Sequence, residues 1–294
     1  MTDAAPKVSV MIYCFNQRQY IEHAVRSVLG QQVSFPLEVL IGDDHSTDGT
    51  TECLQALAQS DARIQLITRE QNGGAADNFY DLLARCRGEY IAFLDGDDYW
   101  TSTDKLAKQI AALEQHAEWS LCFHRVLHVD DHERSLQTFY PSAVPPYYGF
   151  AELLHRNLLQ TCSVVARRSM IPAQSENARR LIPGDWPLFL LLAERGELGF
   201  LPEVMAAYRV HSASGWSSQP RWKRELATLE MLLAMQDEVK PEHRAMVRNA
   251  CEQRFRELHD CPWHLKFRRE WGTRLGIDHL LKWWQSRRAR SDAR

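Results

Sequence analysis

The chain has 294 residues, 45% of them hydrophobic and 25% charged. That is enough to bury a large core without staples, and it excludes collagen-like, low-complexity and disordered chains. The formal charge of −3 conceals two unlike parts, because residues 262–294 hold nine basic side chains against three acidic ones, a local +6 that leaves −9 on the first 261 residues.

The seven cysteines are scattered, with no CxxC pair and no zinc-type spacing, which predicts reduced thiols in a cytoplasmic protein. The first seven residues are polar and lead into a strand-like run, so no signal peptide is expected. No apolar run approaches the roughly 20 residues that span a bilayer.

In chain order, strand-like residues 8–14 precede an amphipathic stretch at 20–29. Residues 37–42 precede 50–58, 63–67 precede 76–86, and 90–94 precede 104–116 in the same way. Strands alternating with helices of this length predict βαβ units in an α/β, doubly wound, mainly parallel sheet. After His116 the pattern loosens. Strands are expected at 120–129 and 160–166, a Pro/Tyr loop at 141–149, a helix at 187–195, strands within 198–210, and helices from 221 onward.

In such sheets ligands bind at the carboxyl ends of the strands. Four segments bring polar residues there: Cys14-Phe15-Asn16-Gln17, Gly42-Asp43-Asp44-His45-Ser46-Thr47-Asp48-Gly49, Glu70-Gln71-Asn72-Gly73-Gly74 and Asp95-Gly96-Asp97-Asp98-Tyr99-Trp100. Three carboxylates within four residues repel one another unless a cation or strong donors sit among them, and hard oxygen ligands on a short turn suit Mg²⁺ or Mn²⁺. A solvated acidic turn is the plainer reading. Asp44 to Gly49 begins like a calcium loop, but Gln55 stands where that loop needs Glu and a strand precedes it. Ser46 to Asp48 read as a helix cap, which leaves Asp43 and Asp44 free for a nucleobase or ribose. GxxxxGK[ST] and GxGxxG do not occur, which disfavours a P-loop ATPase or an ordinary dinucleotide site.

These segments, in this order, resemble the GT-A-fold glycosyltransferases of family 2, which move a sugar from a nucleotide-diphosphate donor. The likeness continues through Gly184-Asp185-Trp186 and Tyr208-Arg209-Val210-His211, and covers about residues 7–215. It departs at Asp77-Asn78, where the family often has Arg, and at Gln219-Pro220-Arg221-Trp222, one residue short of the QxxRW motif of processive synthases. The resemblance implies a non-processive catalytic domain at 1–218, with a nucleotide-binding half at about 7–116 and an acceptor or lid half at 117–218. Residues 219–294 follow as a helical C-terminal region.

By the same resemblance, Asn16, Asp43, Asp44, Asn72, Gly73, Asp95 and Asp97 bind the nucleotide sugar. Asp97, Asp98 and His211 hold Mn²⁺ or Mg²⁺, and Asp185 is the base that deprotonates the acceptor hydroxyl with inversion at the anomeric carbon. Without it, His211 reads as a loop histidine and Asp185 as a helix cap before Pro187. Tyr99, Trp100, Trp186 and Trp216 are candidates for sugar stacking or for the core. Asp130 to Glu133 read as a solvated hairpin turn with no chemistry. The Trp-rich basic tail suits either an anionic membrane surface or a helix packed on the catalytic domain or on a partner chain, a second copy included. A glycan or lipid-linked acceptor would place the protein in the cytoplasm, at the inner face of the plasma membrane. A nucleic-acid partner is not expected from the acidic body. The rival functions are a sugar nucleotidyltransferase and a non-catalytic sugar- or nucleotide-binding module.

Overall fold

The computed structural model describes residues 5–141, 148–173, 184–212, 214–216 and 218–259. The basic tail at 262–294 lies outside the described residues, as does most of the Pro/Tyr segment. The chain begins with β1 (Val8–Cys14), α1 (Ile21–Leu29), β2 (Leu37–Asp43), α2 (Thr50–Ser60), β3 (Ile64–Thr68), α3 (Ala75–Arg85) and β4 (Tyr90–Asp95). The two-residue strand β5 (Tyr99–Trp100) and α4 (Lys105–Gln115) close this half.

Alternation along the strands builds two cores, because successive side chains leave opposite faces. Val8, Val10 and Ile12 of β1, with Val39 and Ile41 of β2, meet α1, α2 and α4 through Ile21, Val25, Leu54, Leu106 and Ile110. Met11, Leu40, Ile91 and Phe93 face the other way, onto Phe79, Leu82 and Leu83 of α3. Strands buried on both faces read as nearly continuous apolar runs, which is why these were legible.

The second half consists of β6 (Trp119–Val129), β7 (Ser135–Tyr140), α5 (Phe150–His155), β8 (Val165–Arg167), α6 (Asp185–Ala193), β9 (Glu197–Arg209), α7 (Arg221–Glu238) and α8 (Arg244–His259). The strand expected at 160–166 is instead a short 3₁₀ turn, Thr161–Ser163, running into β8. Among the described residues one nine-stranded sheet has the order β3-β2-β1-β4-β8-β6-β9-β5, with β7 on β6. The first four strands are parallel. Beyond β4 the sheet is mixed, since β8 runs antiparallel to β4 and β6, while β9 is parallel to β6.

The order reverses between β1 and β4, so a crevice opens at their carboxyl ends, Cys14 and Asp95. β5 pairs antiparallel with the end of β9, matching Tyr99 to Ala207 and Trp100 to Ala206. That pairing fixes the acidic turn against residues more than a hundred positions later. The C-terminal helices share the α3-side core, with Leu229, Met235, Val247 and Phe255 in the same apolar cluster as Phe79 and Phe189.

Candidate active site

The first two rim loops are stitched together by their own polar groups. Asn16 adopts φ 52°; its Oδ1 accepts the Thr47 N–H at 2.8 Å and its N–H donates to Ser46 Oγ at 2.8 Å. Gly49 is the N-cap of α2, and Asp48 just before it accepts the Thr50 N–H at 3.0 Å and the Arg18 N–H at 3.0 Å. The expectation that Asp43 and Asp44 are free is corrected here. Asp43 is 1% exposed and accepts the hydroxyls of Ser46 and Thr51. Asp44 is 2% exposed and accepts the N–H groups of Gly73 at 2.8 Å and Gly74 at 2.7 Å, with Arg69 Nε 3.7 Å away. Buried carboxylates need donors, and adjacent loops supply them.

The third loop is held the same way. Asn72 donates to the Asp44 carbonyl at 3.1 Å and accepts the Gly74 N–H at 3.1 Å. Gly74 adopts φ 90° and ψ 158°, a region open in practice to glycine alone.

The acidic turn separates its three carboxylates. Asp95 is partly buried beside the hydroxyls of Tyr13 and Thr161. Burial, and then the charge of Asp97, push its carboxyl well above the usual range, while those two hydroxyls act in the opposite direction. Gly96 lets the turn lie on β1 and α1, for a Cβ there would stand 2.3 Å from Gln17 Oε1 and 2.7 Å from Cys14 Cβ. Asp97 Oδ2 lies 3.0 Å from His211 Nε2. Asp98, expected as a cation ligand, instead turns inward. It is 1% exposed and accepts the main-chain N–H of Arg209 at 2.8 Å. Burial, Asp97 and Asp95 hold its carboxyl well above the usual range. The short β5–β9 pairing brings that donor to it, and no sequence pattern indicated this.

Arg209, for which the sequence suggests no role of its own, joins the rim together. Its side chain is 2% exposed. Nε donates to the Asp97 carbonyl at 2.8 Å, Nη2 donates to Glu133 at 3.1 Å, and the guanidinium lies over the rings of Tyr20 at 4.6 Å and Tyr99 at 5.3 Å. Glu133 and Asp131, the latter accepting the Tyr20 hydroxyl at 2.9 Å, therefore belong to the rim. The expected hairpin turn at Asp130 to Glu133 is present between β6 and β7, with His132 and Glu133 exposed, and two of its carboxylates reach the rim as well.

Asp185 is the first residue of α6, whose residues 186–192 are buried on every side. Its Oδ2 accepts the Thr161 hydroxyl at 2.7 Å and its Oδ1 the Trp186 N–H at 2.8 Å. Burial raises its carboxyl while these two donors lower it. Asp185 also acts electrostatically on Asp95, so both carboxylates share one neighbourhood around Thr161. The reading of Asp185 as the cap is corrected: Gly184 is the N-cap of α6, and Asp185 stands one residue inside it. Trp100 and Trp186 are 4% and 5% exposed, with indole N–H groups on the carbonyls of Cys162 and Leu153, and so belong to the core. Tyr99 stacks on His23, and Trp216 is partly buried.

Among the described residues no three His, Cys, Asp or Glu side chains group to hold an ion unaided. Asp97 and His211 nevertheless fit one. The two are hydrogen-bonded to each other at 3.0 Å, and a carboxylate oxygen and an imidazole nitrogen side by side are donors that a small divalent ion can take in place of that bond. Mg²⁺ or Mn²⁺ commonly takes few protein ligands and completes its shell with substrate phosphates and water.

The model for glycosyl transferase family 2 matches residues 9–170. A Bacillus subtilis (strain 168) protein named putative teichuronic acid biosynthesis glycosyltransferase TuaG is 34% identical over 227 residues, which is 76% of this chain and 86% of that protein. The crystal structure of S. aureus TarS 1-349 in complex with UDP-GlcNAc superposes with a TM-score of 0.64 at 16% identity, covering 92% of this chain and 77% of that one. The mannosyltransferase PcManGT from Pyrobaculum calidifontis, in complex with GDP-Man and Mn²⁺, gives 0.60 at 15% identity, covering 87% and 76%. At those identities the two structures bear on the fold.

Proposed function

The chain belongs to glycosyl transferase family 2 and is a glycosyltransferase, and on that premise we propose that it takes a sugar from a nucleoside diphosphate donor, with a divalent cation, and passes it with inversion to an acceptor hydroxyl. The observation that carries this reading is the Asp97–His211 pair at 3.0 Å, with Asp185 close to Asp95 around Thr161. When bound, Mn²⁺ or Mg²⁺ would act as a Lewis acid on the departing diphosphate. Asp97 and His211 would hold it, and Asp95 would orient the donor beside it. Asn16, Asn72 and Gly73 would border the nucleoside, with Asp43 and Asp44 keeping their loops in place.

Asp185 would accept the acceptor's proton, so that the oxygen attacks the anomeric carbon on the face opposite the leaving group and inverts it. A carboxyl raised by burial is a stronger base than a free one, and a buried helix end holds it in position. The TuaG likeness supports an acceptor in surface polysaccharide or glycolipid assembly. The +6 composition of 262–294, with Trp263, Trp271, Trp283 and Trp284, supports contact with an anionic membrane at its cytoplasmic face. Loss of vesicle flotation on deleting that segment tests the contact.

The central test is a nucleotide-sugar panel read by thermal shift and donor hydrolysis, with and without Mn²⁺. Metal-dependent stabilisation by at least one nucleoside diphosphate is expected, and its absence across the panel would end this reading. A nucleotidyltransferase finds no counterpart in the family match, and the intact carboxylates disfavour a non-catalytic module.

A further inference from the structure

The turn between β6 and β7 carries a residue that is costly in its conformation. Glu133 adopts φ 62°, a left-handed geometry that a non-glycine side chain occupies at some cost. Asp130 closes the turn on itself by accepting the N–H groups of His132 and Arg134 at 2.9 Å each. That closure leaves the carboxylates of Asp131 and Glu133 for other elements. Asp131 takes the Tyr20 hydroxyl at the start of α1. Glu133 Oε1 contacts both Arg209 Nη2 at 3.1 Å and His23 Nδ1 at 2.8 Å.

These contacts close a ring around the cation pair. The Tyr20 ring contacts both the Arg209 guanidinium, 4.6 Å from its centroid, and the His211 ring, 4.9 Å centroid to centroid. Arg209 also holds the Asp97 carbonyl and the Asp98 carboxylate, on either side of that peptide unit. A guanidinium 2% exposed requires a carboxylate, because burying an unpaired charge is strongly unfavourable. The carboxylate paired with it is Glu133, while its Nε already holds the main-chain carbonyl of Asp97, the residue whose carboxylate faces His211. If Arg209 turned to Asp97, it would occupy the oxygens that a divalent cation needs.

We propose that Glu133 is a positioning residue for the reaction: by pairing with Arg209 it keeps the Asp97 carboxylate free to face His211 and a divalent cation. This rests on the reading of Asp97 and His211 as the cation pair. Glu133 acts on neither substrate nor cation directly. The side chain is 43% exposed, so its replacement leaves the core intact.

The test compares Glu133→Gln with Arg134→Gln, which disturbs the same turn through Asp130 without touching Arg209. Three quantities are measured: thermal stability, the His211 imidazole NMR signal in metal-free protein, and the Mn²⁺ concentration that half-saturates nucleoside diphosphate binding. Glu133→Gln is expected to move the His211 signal and to raise the Mn²⁺ requirement about tenfold, as loss of an outer-shell partner does, with little change in stability. Arg134→Gln is expected to do neither. An unmoved His211 signal in Glu133→Gln, or equal effects from both variants, overturns the proposal. Wild-type protein that bound no nucleoside diphosphate with Mn²⁺ would defeat the functional reading instead, and the His211 signal would still decide the role of Glu133.

Discussion

Asp97 Oδ2 and His211 Nε2 face each other at 3.0 Å across 114 residues of chain. One sits on the turn after β4 and the other two residues beyond the end of β9. Asp97→Asn and His211→Gln should each raise the Mn²⁺ needed for nucleoside diphosphate binding by about 10- to 100-fold, with transfer falling in step. Calorimetric titration with Mn²⁺ present and absent checks this. Unchanged metal dependence in both variants would falsify the pairing.

Asp185→Asn keeps the shape of α6's first turn but removes the base. Transfer should fall about 10²- to 10⁴-fold, while donor binding stays close to wild type. Thr161→Val probes the same carboxyl by pH. The Thr161 hydroxyl favours the ionised form at 2.7 Å, so its loss raises the Asp185 pKa further. The acid limb of the kcat/KM profile should then move to higher pH. A profile that stays in place would exclude Asp185 as the group that titrates there.

Gly96 is the one residue of the acidic turn that must lack a side chain. Gly96→Ala forces Gln17, Cys14 and Ile21 aside, and overpacking of this kind costs about 1–3 kcal/mol. Thermal denaturation should show that loss, together with weaker metal-dependent donor binding, because the displaced turn carries Asp97. A variant as stable and as active as wild type would mean the turn can lift without consequence.

Lys105 is fully buried, its Nζ 4.1 Å from the centroid of Trp100 and 2.7 Å from Gln109 Oε1. Burial lowers its pKa from 10.5 to about 7. Between those values the unfolded chain binds more protons than the native one, so this group makes stability rise with pH. The cost of the buried charge is full below pH 7 and gone above 10.5. Lys105→Met should therefore gain most over wild type near pH 6, by a few kcal/mol at the very most, and the gain should shrink by pH 9.5. Melting curves at the two pH values decide it, and equal differences would show that the amine is not the cause.

The first half of the fold was readable because βαβ units write their burial directly into apolar period. The helix expected at 104–116 is Lys105–Gln115, and the strand expected at 120–129 is Trp119–Val129. β5 is two residues long and α5 six, too short for a period to register. β7 is exposed along nearly its whole length, so it has no buried face to betray it. At the site, the family resemblance singled out Asp97, His211 and Asp185, but not the direction each side chain takes. Asp98 faces a main-chain N–H delivered by β9, and Glu133 meets an arginine 76 positions away. Such pairings depend on the order of strands in the sheet, which local pattern does not encode.

The placement of β9 also sets an order of events during synthesis. A nascent chain that ends before residue 197 already contains β4 and its acidic turn, but not the strand that supplies Arg209 and leads to His211. Until β9 inserts beside β6, that turn lacks the N–H that Asp98 accepts and the imidazole that Asp97 faces. Closing so distant a contact is slow compared with forming the preceding βαβ units. The rim is therefore complete only once β9 has joined β6, and a chain stalled before residue 197 would lack both the β5–β9 pairing that fixes the acidic turn and the Arg209 and His211 that face it.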